Sequence, residues 1–136
     1  MGQEDLFLFE DSQKKLSATE LSSKVLQSLA GDYQQATGKD LKSAVITHPA
    51  MFETPACIAT KKAAEMSGIE YVVLLQEPLA SALAYGFRSD QEKSCWMVYD
   101  LGGGTLDISI VVVRDGVMMV PKEGQGGDNH LGGKNL

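Results

Sequence analysis

The stretch "DLGGGTLDIS", Asp100–Ser109, places two aspartates around three consecutive glycines, between the apolar runs Trp96–Tyr99 and Ile110–Val113. Both runs read as strands, so the glycines mark the turn of a hairpin. With Gly103-Gly104 as a two-residue turn, Gly102 faces Thr105, Leu101 faces Leu106 and Asp100 faces Asp107. Side chains on a strand alternate faces. Met97, Tyr99 and Leu101 then share a face with Leu106, Ile108 and Ile110, and this is the expected core face. Thr105, Asp107 and Ser109 share the opposite face with Asp100, so the polar set collects at the turn.

Like charges directly opposite one another destabilise a sheet, and two carboxylates in a partly buried cleft raise one pKa. A bound cation removes both problems. Hard oxygen ligands suit Mg²⁺ or a monovalent ion, and Mg²⁺ commonly arrives with substrate phosphates. The glycines fit the same chemistry. Gly102, Gly103 and Gly104 lack Cβ atoms, so their backbone N–H groups can approach phosphate oxygens as an anion-binding nest, and Thr105 adds a hydroxyl donor. The plain alternative is a glycine-rich hairpin with two solvated aspartates. The full D-x-G-G-G-T-x-D pattern between apolar strands is far more specific than three glycines alone. It is not a Walker loop: no lysine follows the glycines, and a strand rather than a helix comes next.

Upstream, "LFLF" (Leu6–Phe9) reads as a short strand and "EDSQKK" as a polar turn. "SATE" (Ser17–Glu20) has capping-box spacing. Ala18, Leu21, Val25, Leu29, Tyr33 and Ala36 follow at helical spacing, and Gly38 is a natural stop. One amphipathic helix is expected over 18–37. "SAVIT" (Ser43–Thr47) is a strand ended by His48-Pro49. Thr54 is the expected cap of a second helix, with Pro55 at its first position, running to about Ser67. "YVVLL" (Tyr71–Leu75) is a continuous apolar strand of the kind covered on both faces. Glu77-Pro78 open a third helix ending near Gly86. Alternating strand and helix favours a parallel α/β arrangement. After the charged loop at 88–94, strands at 95–101, 105–113 and 117–120 form an antiparallel three-stranded meander, with Asp115-Gly116 as a type I′ turn. The tail, "EGQGGDNHLGGKNL", is glycine-rich and reads as unfinished.

The formal charge of −6 argues against a duplex-binding surface and suits solubility. No membrane span and no secretion signal is legible, and the acidic start lacks the basic-then-apolar order of such a signal. Cys57 and Cys95 show no metal spacing and read as free thiols in a reducing compartment, hence a cytoplasmic expectation. Cys57, in a helix's first turn with His48 and His130 elsewhere, gives a weak cysteine-nucleophile reading that no local signature supports. His48 reads as a strand-end residue, His130 as an orderer of the tail, and Trp96, Met118 and Met119 as core.

"DLGGGTLDISIV" resembles the phosphate-binding hairpin of the seventy-kilodalton heat-shock (DnaK-type) chaperones, members of the actin-like ATPase superfamily that also holds sugar kinases. "AVITHPAMF" resembles the family's strand ending in Pro-Ala-aromatic-Phe. "LLQEPLASALAYG" resembles its Asn-Glu-Pro segment and following helix, and "GGDNHLGGKNL" its Gly-Asp-Thr-His-Leu-Gly-Gly segment. The four occur in order over residues 16–136. The resemblance implies an incomplete ribonuclease-H-like, actin-like α/β fold: a partial first-lobe subdomain over 1–87, a linker over 88–94, and the start of a second-lobe subdomain over 95–136. It implies ATP or ADP with Mg²⁺, and potassium as a further ion. Gly102 to Thr105 would contact the β- and γ-phosphates. Asp100 and Asp107 would organise Mg²⁺, potassium and the attacking water, and Glu77 would sit near the metal's water shell. Glu77 also fits its own position, just after an apolar strand at a helix start, where α/β sheets place ligand groups; an ordinary helix-start acid is the bland reading.

The implied function is that of a chaperone ATPase-domain fragment, inactive alone, that drives protein-folding cycles. Its implied partners are nucleotide, the rest of the ATPase domain, a peptide-binding domain and co-chaperones; sheet edges and apolar helix faces left uncovered by the missing segments would favour self-association. The alternatives are a sugar- or acetate-kinase-like relative and a non-catalytic truncated interaction module. The family's first phosphate loop, catalytic lysine and adenosine-binding segments have no counterpart in this sequence, which leaves hydrolysis by this chain open. Cys57 stands where the family usually has an arginine that works with a proline, here Pro49, to couple nucleotide state to the substrate domain. Leu106 replaces a usual phenylalanine, Gln76 an asparagine and Met51 a tyrosine.

Overall fold

The computed structural model describes residues 6–9, 14–86 and 95–135. The chain divides into two compact units, one of 1–46 with 52–74 and one of 47–51 with 75–136. The expected boundary loop at 88–94 and the expected turn residues 10–13 lie outside the described residues.

In the first unit, β1 (Leu6–Phe9) pairs antiparallel with β2 (Lys14–Ser17), so Lys14 and Lys15 belong to a strand rather than to a polar turn. Helix α1 (Ala18–Thr37) starts on the expected capping box. The Ser17 hydroxyl accepts the Glu20 N–H at 3.3 Å, and the Glu20 carboxylate accepts the Ser17 N–H at 2.8 Å. These bonds satisfy backbone donors that a helix start would otherwise orphan, and they hold the Glu20 carboxyl below its usual range. Gly38, at φ 70°, closes the helix.

Helix α2 (Thr54–Met66) takes Glu53 as its N-cap, with no side-chain capping bond, so Thr54 lies inside the helix instead of capping it. Its buried residues are Ala56, Ala59, Thr60, Ala63 and Ala64, at the spacing of one helix face. That small-residue face packs against α1. The large apolar stripe of α1 does not supply the packing: Val25 and Leu29 stay 61% and 55% exposed, while Ser23 is buried. An alanine surface favours close approach, and short side chains on α1 permit it. The buried hydroxyls are satisfied within their own helices, Ser23 to the Glu20 carbonyl and Thr60 to the Ala56 carbonyl.

Strands β3 (Ser43–His48) and β4 (Tyr71–Gln76) pair in a parallel sheet across the α2 crossover. The expectation of a strand covered on both faces fails for β4. Tyr71 and Val73 are exposed, as is Val45 of β3, while Val72 and Leu74 are half-buried. Among the described residues only one face of this pair is covered, so a run of apolar residues alone misjudged its surroundings.

The second unit holds α3 (Glu77–Ala84) and the meander β5 (Cys95–Leu101), β6 (Leu106–Arg114) and β7 (Val117–Met119), all antiparallel. Asp115 at φ 51° and Gly116 at φ 73° make the expected I′ turn. A further strand, β8 (Gln125–Asp128), pairs with Leu106–Ser109 of β6. β7 pairs with Val112–Arg114, so β7 and β8 lie end to end along the edge of β6 that β5 leaves open. Gln125–Asp128 of the glycine-rich tail are thus part of the sheet.

The core of this unit is Ala82 of α3 with Val111 and Val113 of β6, flanked by Leu79, Val98, Met118 and Val120. Val98 pairs with Ser109 and Asp100 with Asp107, so the buried face is the one that carries the aspartates. This reverses the expected core face. Met97, Tyr99 and Leu101 are exposed, because α3 lands on the other side of the sheet. Trp96, expected in the core, is 42% exposed.

Candidate functional site

The register of β5 on β6 sets Asp100 opposite Asp107 and Leu101 opposite Leu106, and the Gly102 N–H donates to the Thr105 carbonyl at 2.9 Å. The turn is therefore Gly103-Gly104, as the sequence implies. None of Gly102, Gly103 and Gly104 occupies the left-handed region, so positive φ is not why glycine stands there. At Gly103 no neighbouring atom requires it either. A Cβ on Gly103 would meet no atom within 4 Å, which leaves that backbone open to a ligand. A Cβ on Gly104 would lie 3.3 Å from the Lys134 Nζ.

The C-terminal segment docks on this tip. The Gly133 N–H donates to the Gly102 carbonyl at 2.8 Å, and the Lys134 N–H to the Gly103 carbonyl at 3.0 Å. The Gly132 N–H is capped by Asn135 Oδ1 at 2.8 Å, and Gly132 packs directly on the backbone of Gly103 and Gly104. With their carbonyls occupied from behind, the tip glycines are held in place. His130 hydrogen-bonds within the tail as expected, through its backbone: its N–H donates to the Asp128 carboxylate at 2.8 Å.

Next to the tip, one pocket is lined by Pro49, Ala50, Glu77, Pro78, Val98, Asp100, Asp107 and Ser109. The α3 start brings Glu77 to the two aspartates, so the structure gathers all three sequence-derived carboxylates. Asp100 is exposed, Asp107 and Glu77 are half-buried, and Ser109 is buried. Burial, then repulsion from Asp100 and Asp107, pushes the Glu77 carboxyl above its usual range, with the His48 charge partly offsetting. His48 is buried, with Nδ1 2.9 Å from the Pro49 carbonyl. The pocket thus concentrates acid that the His48 charge offsets only in part, a condition a cation relieves. Among the described residues, no three acids, histidines or cysteines converge closely enough to wrap a bare ion. That donor set fits Mg²⁺, which keeps much of its water and takes one or two carboxylates together with phosphate oxygens.

Thr105 is exposed at the end of the turn, beside the glycines and outside the acidic pocket's lining. Cys57, in the first turn of α2, is half-buried, its thiol 3.9 Å from the Phe52 carbonyl. Cys95 is a free, exposed thiol. Sequence reasoning missed Gly132, Gly133 and Lys134 as parts of the site. The legible signal was a second glycine pair, "HLGGKN", whose lack of side chains permits backbone-to-backbone docking.

Comparison with known proteins identifies the family. The family described as Hsp70 protein matches residues 3–136. The chaperone protein DnaK of Thermosipho melanesiensis and that of Thermosipho africanus are each 42% identical over 123 residues, 90% of this chain and 20% of theirs. The chain thus spans about a fifth of the length of these curated relatives. Neither the sugar-kinase alternative nor the bare interaction module is favoured by these matches. A glycine tip flanked by paired aspartates, a mixed α/β fold and a family match over almost every residue converge, and the chain belongs to the Hsp70 family.

Proposed function

We propose that this chain contributes the phosphate- and metal-binding hairpin of an Hsp70 ATPase domain, whose nucleotide cycle drives the binding and release of client peptides. Gly102 to Thr105 take the β- and γ-phosphates of ATP through backbone N–H groups and the Thr105 hydroxyl. Asp100 and Asp107 orient the water shell of Mg²⁺, with potassium as a further ion, and hold the attacking water. Glu77 borders that shell from the start of α3. Bound Mg²⁺ supplies charge neutralisation at the phosphate oxygens. The observation that carries the reading is the Asp100–Asp107 pair, fixed by strand register beside an open glycine tip and joined by Glu77 in one pocket. Co-chaperones and a peptide-binding domain belong to the same proposal.

The test is a chimera in which these 136 residues replace the matching segment of the Thermosipho africanus DnaK. The chimera binds and turns over ATP with Mg²⁺ dependence. Asp107→Asn weakens that dependence without unfolding the protein. Mg²⁺ dependence that is the same in the Asp107→Asn chimera would refute the assignment.

A further inference from the structure

We propose that Lys134 is a phosphate-contacting residue: its ammonium is held against the Gly102–Thr105 tip, where it pairs with the terminal phosphate of a bound polyphosphate. The inference rests on the reading of that tip as a phosphate site and adds to it a specific cation.

Three observations converge on Lys134. Its backbone is fixed to the tip, since its N–H donates to the Gly103 carbonyl at 3.0 Å while the neighbouring Gly133 N–H binds the Gly102 carbonyl. Its side chain runs along Gly104 in the space that a side chain there would fill: an ideal Cβ would lie 4.0 Å from Cδ, 3.7 Å from Cε and 3.3 Å from Nζ. Gly104 thus leaves the room that this lysine occupies. Finally, among the described residues no carboxylate lies within ion-pair distance of the ammonium; the ion pair there is Lys42–Glu70. The other described lysine and arginine of this unit lie elsewhere: Arg114 ends β6, at the opposite end from the tip, and Lys122 follows β7.

A cation without a partner, on a backbone anchored at both neighbouring amides, is pre-organised for an incoming anion. It also answers a problem of the site. Glu77, Asp100 and Asp107 would repel a phosphate approaching this end of the sheet, and a lysine at the tip gives that phosphate a favourable point of entry. The ammonium acts as a compact point charge with three donors, suited to phosphate oxygens that move during a cycle.

The test is a titration of the ¹⁵N-labelled chain with sodium pyrophosphate at constant ionic strength, followed by NMR on the Gly102–Thr105 amides and on the Lys134 Cε–H resonance. Wild type shows saturable shifts at both. Lys134→Met keeps the stem and its packing but removes the charge, and loses about tenfold to a hundredfold in affinity, the range for a charge-assisted hydrogen bond. Lys134→Arg retains most of the binding. Lys134→Glu binds more weakly than Lys134→Met, an order that a packing role would not produce. Protection of the Gly133 amide from exchange, unchanged in Lys134→Met, shows that docking persists. Equal affinity in wild type and Lys134→Met, with the tip shifts intact, overturns the role of Lys134 and leaves the phosphate tip standing. Absence of tip shifts in wild type overturns both.

Discussion

Replacing Gly132 with alanine tests how the C-terminal segment secures the tip. Gly132 is buried, and a Cβ there would sit on the Gly104 amide nitrogen, 2.5 Å from the Gly104 Cα and 2.6 Å from the Gly103 carbonyl carbon. All three are backbone atoms, so no rotamer change relieves the clash. Restoring ordinary contact requires the two segments to separate by about 1 Å. The Gly133–Gly102 and Lys134–Gly103 bonds, at 2.8 and 3.0 Å, would then stretch beyond hydrogen-bonding range. Two lost backbone bonds at about 0.5–1.5 kcal/mol each give about 1–3 kcal/mol. The loss is local, because the valine core beneath α3 is not touched. Amide exchange of Gly133 and Lys134 should therefore accelerate by about fivefold to 150-fold, while Val111 exchanges as before. Unchanged exchange at Gly133 and Lys134 would refute the argument that backbone contact at Gly132 fixes the tip.

Other perturbations separate the remaining contributions. Gly127→Ala would drive a Cβ into the Leu106 carbonyl oxygen and to 3.3 Å from the Asp107 Cα, so β8 should peel from β6. Faster exchange along 125–128, with β5–β6 protection intact, is the expected signature. Ser17→Ala removes the hydroxyl half of the α1 capping box and should lower stability by about 1 kcal/mol, read as a shift in urea midpoint. Glu77 titrates above its unfolded value, so the folded state holds that proton more tightly. Its contribution to stability is full below about pH 4.5 and is lost as pH rises through the folded value. Glu77→Gln should flatten that decline and raise stability at neutral pH in the absence of Mg²⁺. Urea midpoints that fall equally with pH in both proteins would contradict it.

Features encoded by local chemistry were legible in the sequence. Ser17 with Glu20, Gly38, and Asp115-Gly116 each specify their geometry within four residues, and the structure shows those geometries. The Asp100–Asp107 pairing was legible because a two-residue turn leaves only one register. The covered face was not. Both faces of β5 and β6 are apolar, and "IVVV" has no alternation to rank them, so the choice waits on where α3 packs. β8 was hidden for a different reason. "QGGD" has almost no side chains to form a strand pattern, and its pairing arises from backbone bonds alone. The docking of Gly132 on Gly103-Gly104 is likewise a contact between atoms that every residue shares.

The end-to-end arrangement of β7 and β8 along one edge of β6 has a consequence for the order of assembly. The β5–β6 and β6–β7 pairings join near neighbours in the chain, Leu101 with Leu106 and Arg114 with Val117. The β8 pairing joins Ser109 to Gln125 and Leu106 to Asp128, across the whole of β7 and the turn after it. Loop closure over that distance costs more entropy and is repaid only once β6 is already in place. The two hairpins are therefore expected to form first, an order that pulse-labelled amide exchange at Ile110–Val113 and at 125–128 would test. Gly102 and Gly103 acquire their partners in the final step, when β8 zips along β6 and carries Gly133 and Lys134 into position. On that order the glycine turn is in place before the C-terminal segment docks on it, so hairpin formation and docking of Gly133 and Lys134 become separable events in time.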